Sequence, residues 1–155
     1  MSEQQMIFSI ERVYLKDLSL EIPNAPEVFT APESPNVDIR LHNEARGLDD
    51  GRFEIVLTVT ITAKFQEKTA FLVEVAQAGV FQIRNLSAQD LDAVVNVTCP
   101  RTLLPYARET VSSVLSRAGF PPVLLPHVGF ETLYQQRMQE QQGQQQQPPT
   151  GATQS

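Results

Sequence analysis

The sequence predicts an α+β fold, an antiparallel sheet followed by helices, and three observations lead there. Apolar and polar residues alternate with a two-residue period from Phe53 to Phe65 and again through much of Thr69 to Ile83, the mark of strands with one face buried. No strand–helix–strand rhythm interrupts the first half, which argues against a doubly wound, nucleotide-binding sheet. Helical spacing sets in only after Leu86.

Residues 6–15 place Phe8, Ile10 and Tyr14 on one face of a first strand and Ile7, Val13 and Leu15 on the other, the pattern of a strand covered on both sides. From Ile22 to Pro35 four prolines (Pro23, Pro26, Pro32, Pro35) block helix and central-strand pairing. The segment reads as a long extended crossover loop, and loops of that length are usually functional. Val37, Ile39 and Leu41 alternate with Asp38, Arg40 and His42 in a short strand, and Gly47 with Asp50-Gly51 marks the turn after it.

The next strand carries Phe53, Ile55, Leu57, Val59, Ile61, Ala63 and Phe65 against an outer face rich in threonine. Gln66-Glu67-Lys68 turns the chain, and the returning strand puts Phe71, Val73 and Val75 opposite Leu72, Glu74 and Ala76. Two long strands joined so tightly make an antiparallel hairpin.

Ser87 followed by Asp90 resembles a capping arrangement and starts a helix. Pro100 and Pro105 are expected to kink or interrupt it before Tyr106–Ala118 resumes, with Val111, Val114, Leu115 and Ala118 at helical spacing and Gly119 as the cap. Pro121, Pro122 and Pro126 stiffen a connector. A last helix aligns Phe130, Leu133, Tyr134 and Met138. From Gln135 onward ten glutamines and two prolines leave little apolar surface to repay ordering entropy. The reading is one domain over residues 1–142 and a disordered tail over 143–155.

The 155 residues suffice for a core without disulfide or metal support, since a chain of that size buries roughly 70% of its unfolded surface. A net charge of −6 lacks the clustered cations that displace phosphate counterions, so nucleic acid is excluded as a partner. Residues 1–50 hold ten acids and four bases, so the whole surplus sits there. A solvated acidic face would serve solubility. The sharper alternative is a docking surface for a basic partner. Cys99, the one cysteine, suits a reducing compartment. No segment approaches the ~20 apolar residues of a membrane span, and Met1–Gln5 is not a basic signal start. A soluble, cytoplasmic protein without membrane insertion is expected.

Catalytic signatures are missing. There is no phosphate-binding glycine loop, and His42 and His127 lack the spacing that would share a metal. Cys99 could in principle use either histidine, and Glu54 could face Glu74 across the hairpin, but neither pairing specifies a reaction. The expectation is no enzyme, no cofactor and no metal. What remains is more apolar surface than a small monomer covers, which points either to subunits burying it against each other or to grooves that bind extended chains. A non-enzymatic small-ligand carrier is a further alternative.

The run Val13-Tyr14-Leu15-Lys16-Asp17-Leu18-Ser19-Leu20-Glu21-Ile22-Pro23-Asn24-Ala25-Pro26 resembles the first strand and start of the crossover in SecB, the bacterial export-chaperone family. Thr69-Ala70-Phe71-Leu72-Val73-Glu74-Val75, Gly79-Val80-Phe81, Cys99-Pro100-Arg101-Thr102-Leu103-Leu104-Pro105-Tyr106-Ala107-Arg108-Glu109, Phe120-Pro121-Pro122 and Val128-Gly129-Phe130 follow in family order. The likeness covers about residues 6–138. It implies a four-stranded antiparallel sheet with a long crossover loop and two C-terminal helices, assembled as a homotetramer, a dimer of dimers. It also implies an ATP-independent chaperone that keeps presecretory proteins unfolded and delivers them to the SecA motor ATPase. A SecB-like chaperone of a toxin–antitoxin system would differ only in its client.

By matched position, the resemblance assigns Asp17, Glu21, Leu72 and Glu74 to the surface that meets the basic, zinc-bearing tail of SecA. It assigns Val73, Val75 and Gln77 to subunit assembly. It places the client groove between crossover loop and last helix, where this chain offers Val28, Phe29, Phe130, Leu133 and Tyr134. Two departures stand out. Glu33 occupies the place where some relatives have tryptophan, and the tail is rich in glutamine where relatives can be acidic.

Overall fold

The structure, a computed structural model, describes residues 5–31 and 34–146. Four strands, β1 (Ile7–Glu21), β2 (Asn36–Gly47), β3 (Arg52–Phe65) and β4 (Lys68–Arg84), form one antiparallel sheet in the order β1-β4-β3-β2. β1 and β2 are the two edges, so the loop after β1 must cross the sheet to reach the far side. A 3₁₀ turn at Glu27–Thr30 lies in that loop and buries Val28, and the Asn24 side chain donates to the Thr69 carbonyl at 2.8 Å, tying the loop to β4. Pro32 and Glu33 lie outside the described residues.

Asp50 and Gly51 take left-handed φ values of 63° and 72° between β2 and β3, and Gln66 takes 53° between β3 and β4. Both hairpins therefore turn where the sequence placed turns. Ile55, Leu57, Val59 and Ile61 of β3 and Phe71, Val73, Val75 and Phe81 of β4 are fully or almost fully buried beneath helix α2. Full burial of each such side chain is worth about 1.5–3 kcal/mol. These two central strands are the core.

β1 differs from the two-sided strand read from its sequence. Its register against β4 shifts between Ile10 and Arg12 and again between Leu15 and Asp17. Each β-bulge inserts one residue and resets the alternation. Phe8, Ile10, Val13, Leu15, Leu18 and Leu20 consequently pair with Ile83, Phe81, Gly79, Gln77, Val75 and Val73, all on the helix-covered side. Tyr14 pairs with Ala78 and belongs to the open side. The spacing that suggested two apolar faces is one apolar face with two insertions.

Ser87 caps α1 (Ala88–Ala93), its Oγ accepting from the Asp90 amide at 3.1 Å. A π-helical turn at Val94–Thr98 joins it to α2 (Cys99–Arg117). The prolines were expected to kink or interrupt the helix. The wide turn sits just before Pro100, whose ring would clash with the carbonyl of Asn96, four residues back, in a regular α-helix. Pro105 is accommodated inside α2. Gly119, at φ 89°, ends α2 in a Schellman motif: its amide donates to the Ser116 carbonyl and that of Phe120 to Leu115. Helix α3 (Phe130–Gln146) runs past the boundary expected at residue 142, and residues 147–155 lie outside the described residues.

Candidate functional site

The bulge around Lys16 decides where the acidic residues of β1 point. Beyond it Asp17 pairs with Ala76, Ser19 with Glu74 and Glu21 with Leu72. Directly opposed residues share a face, so Asp17, Glu21, Leu72 and Glu74 form one patch on the open side of the sheet. Thr58, Thr60 and Thr62 continue each row onto β3, and the Glu74 carboxylate accepts from the Thr60 hydroxyl at 3.2 Å. Among the described residues no cation pairs with Asp17, Glu21 or Glu74. The patch therefore has no salt bridge of its own among the described residues.

Above it lies a second cluster that sequence reading missed. Glu54 is buried although it is charged, and its side chain is only 9% exposed. Its carboxylate accepts from Lys16 Nζ at 2.8 Å and from the Tyr14 hydroxyl, and Arg46 approaches at 3.4 Å. The hydrogen bond from Lys16, then that from Tyr14, holds the Glu54 carboxyl below its ordinary value. Burial, then the Glu54 contact, pushes the Tyr14 phenol up to about 12. Glu54 does not face Glu74: Glu54 pairs with Val80 and Glu74 with Thr60. Six residues of strand separate them, about 20 Å at ~3.3 Å per residue. The one signal available in the sequence was a lone carboxylate at the start of a threonine-rich strand face.

The residues assigned to a client groove fall into two places on the other side of the sheet. Phe29 packs on Phe120 with ring centroids 5.1 Å apart, and Phe120 packs on Phe71 at 4.8 Å. Val28, next to Phe29, is buried in the core. Phe130, Leu133 and Tyr134 line a separate cleft of about 70 Å³ with Leu41, Asn43, Leu57 and Asn96. Phe71 pairs with Ala63, six residues along β3 from Leu57. The two places therefore lie about 20 Å apart. The connector from Phe120 to Gly129 joins them, with Leu124 77% exposed while Leu125 is buried. Phe120 and Leu124 also belong to this apolar path, and neither was assigned to the groove from the sequence. The Tyr134 hydroxyl donates to Asp92 at 2.6 Å, which raises its pKa and fixes α3 against α1.

Val73, Val75 and Gln77 do face away from Leu72 and Glu74, but all three are buried within the single chain. They lie under α2, and the Gln77 amide donates to the Tyr14 carbonyl at 3.0 Å. Gln77 also lines the groove between β1 and α2 with Val13, Leu15 and Tyr106, whereas Val73 and Val75 are 0% exposed in the single chain.

Cys99 is buried, and burial pushes its thiol up to about 12. His127 is exposed on the connector and His42 meets Glu44 at 2.9 Å on the open side, so neither is placed as a base for it. Among the described residues no cluster of three or more His, Cys, Asp or Glu could hold a metal ion, and no helix is long and apolar enough to cross a membrane.

A family model described as preprotein translocase subunit SecB matches residues 1–141. The chain is similar to the protein-export protein SecB of Chromobacterium violaceum, 59% identical over 91% of this chain and 96% of that one. It is likewise similar to SecB of Methylobacillus flagellatus, at 58% over 90% and 88%, and of Neisseria meningitidis, at 50% over 90% and 96%. Among solved structures, the Mycobacterium tuberculosis Rv1957 SecB-like chaperone, in complex with a ChAD peptide from the Rv1956 HigA1 antitoxin, superposes with a TM-score of 0.65 at 18% identity, covering 78% of this chain and 90% of that one. That likeness is one of fold.

Proposed function

The chain belongs to the SecB family of protein-export chaperones, and from this premise we propose that it holds presecretory clients unfolded without ATP and hands them to SecA as a homotetramer. A holder that binds only the unfolded state shifts its client's equilibrium by mass action and needs no reactive group. Full-length relatives at 50–59% identity support export over the toxin–antitoxin reading.

One observation carries the division of labour: the acidic patch and the apolar path lie on opposite sides of the sheet. Asp17, Glu21, Leu72 and Glu74 are free on the open side while Phe29, Leu124 and Leu133 are exposed on the helix side. A client can occupy one while a basic SecA segment docks on the other.

Assembly has its own support. Ile10, Leu15 and Leu18 on edge strand β1 are 46%, 44% and 39% exposed, and Tyr106 of α2 lies beside them across a groove that Val13, Leu15 and Pro105 also line. An edge strand with a row of exposed apolar side chains pairs or aggregates unless covered. A second copy covers it in the proposed tetramer, and repetition of the apolar path lets weak contacts sum to tight capture.

The test mixes the protein with a slowly folding presecretory client diluted from denaturant. Arrest of refolding at saturating chaperone is expected, and refolding at the spontaneous rate would refute the holding function. Native mass spectrometry should give a four-chain mass. A dimer there would remove the tetramer.

A further inference from the structure

Lys16 has no partner in the β1–β4 register: pairing steps from Leu15↔Gln77 to Asp17↔Ala76 and leaves it as the extra residue of the bulge. A bulge is a choice of register, and a one-residue slip would turn every following side chain to the other face. Asp17, Ser19 and Glu21 would then face α2's side, and Leu18 and Leu20 the open one. Whatever holds this bulge therefore determines the docking patch.

The structure shows what holds it. Lys16 Nζ bonds Glu54 Oε1 at 2.8 Å, reaching across β4 to β3, and Tyr14, on the near side of the bulge, bonds the same carboxylate. Ala78, the residue of β4 opposite Tyr14, is small enough for both side chains to pass. Arg46 of β2 approaches the same carboxylate at 3.4 Å without touching β1, so the link that reaches the bulge is the one from Glu54 on β3 across β4 to Lys16 and Tyr14. We infer that the Lys16–Glu54 pair is a positioning device for partner docking, fixing the β1 bulge so that Asp17 and Glu21 stand on the open face beside Glu74. None of its members needs to touch the partner. The inference rests on the SecA-docking reading.

Lys16→Met provides a test by sign. The substitution makes the face more acidic, so attraction of a basic segment alone would leave SecA affinity unchanged or raise it. Loss of the bulge lowers it, by about tenfold for one misplaced set of charged contacts. Calorimetric titration of SecA into the full-length variants is the readout, with client holding and thermal melting in parallel. Lys16 is 45% exposed, so the variant should fold and hold client as wild type does, melting lower only by the loss of its ion pair with Glu54. Lys16→Arg, which keeps a cationic donor, should restore affinity. Arg46→Met removes a cation from the cluster without touching the bulge and should bind within about twofold of wild type. Undiminished binding by Lys16→Met, or an equal loss in Arg46→Met, would overturn the inference. The double variant Asp17→Asn with Glu74→Gln separates the two ideas: if it binds SecA like wild type, the docking reading itself is at fault.

Discussion

Phe29 leans on Phe120 at a centroid distance of 5.1 Å, and the two differ in exposure: Phe29 is 49% exposed while Phe120 is partly buried between it and buried Phe71. The apolar path thus begins on an aromatic ring supported from below by the core.

That support separates function from stability. Phe29→Ala should weaken client holding, raising the chaperone concentration for half-maximal arrest several-fold, with little change in melting. Phe71→Ala removes a side chain with 2% exposure and should cost about 3–5 kcal/mol by denaturant titration. Equal destabilisation by both would show that Phe29 is core rather than surface.

Charge reversal at Asp17 and Glu74 should weaken SecA binding while leaving client arrest intact, because the two surfaces lie on opposite sides of the sheet. The wild-type affinity should fall as salt rises from 50 to 300 mM, roughly, as expected for exposed charges screened over about 10 Å at 0.1 M. A reversed variant that titrates like wild type removes these residues from the docking surface.

Gly79→Ala should destabilise the chain by about 1–3 kcal/mol through overpacking. A Cβ there would stand 2.8 Å from the Phe81 ring and 3.2 Å from the Arg12 carbonyl, and Phe81 stacks on Phe8 at 5.8 Å. Yielding by Phe81 would disturb the pairing of β1 with β4. Urea midpoints decide it, and an unchanged midpoint would mean the ring moves freely.

Cys99 should resist thiol–disulfide exchange at pH 8 in the native protein and react on unfolding, since the thiolate is the nucleophile and burial holds the thiol up to about 12. Labelling with a chromogenic disulfide in native buffer and in denaturant compares the two. Rapid native labelling would place the thiol at the surface.

Glu54 predicts a pH dependence. Its folded pKa lies below the ordinary value of 4.5, so it contributes stability that is complete above that value and is lost as the pH falls through the folded one. The destabilisation of Glu54→Gln should be largest at neutral pH and shrink below about pH 4.5. A gap between the denaturation midpoints that stays constant from pH 7 to pH 3, roughly, would contradict the ion pair.

Some of this was legible in the residues. Alternation from Phe53 to Phe65 made a strand with one buried face because burial is periodic along a pleat. Asp50-Gly51, Ser87 and Gly119 marked turn and caps because those backbone positions demand their chemistry. The family resemblance matched Asp17 and Glu74 to one surface, and strand pairing puts both on the same face of the sheet.

What local pattern could not supply was the register of β1, whose two bulges depend on its partner strand and turn an apparent two-faced strand into a one-faced one. The burial of Val73, Val75 and Gln77 beneath α2, the 20 Å, roughly, between the two ends of the apolar path, and the meeting of Lys16 with Glu54 across β4 are likewise facts of long-range packing. The sequence by itself determined the strands, the caps and the family. Tertiary structure decided which face each side chain serves, because a bulge or a pairing is set by residues distant in the chain, where short-range periodicity carries no information.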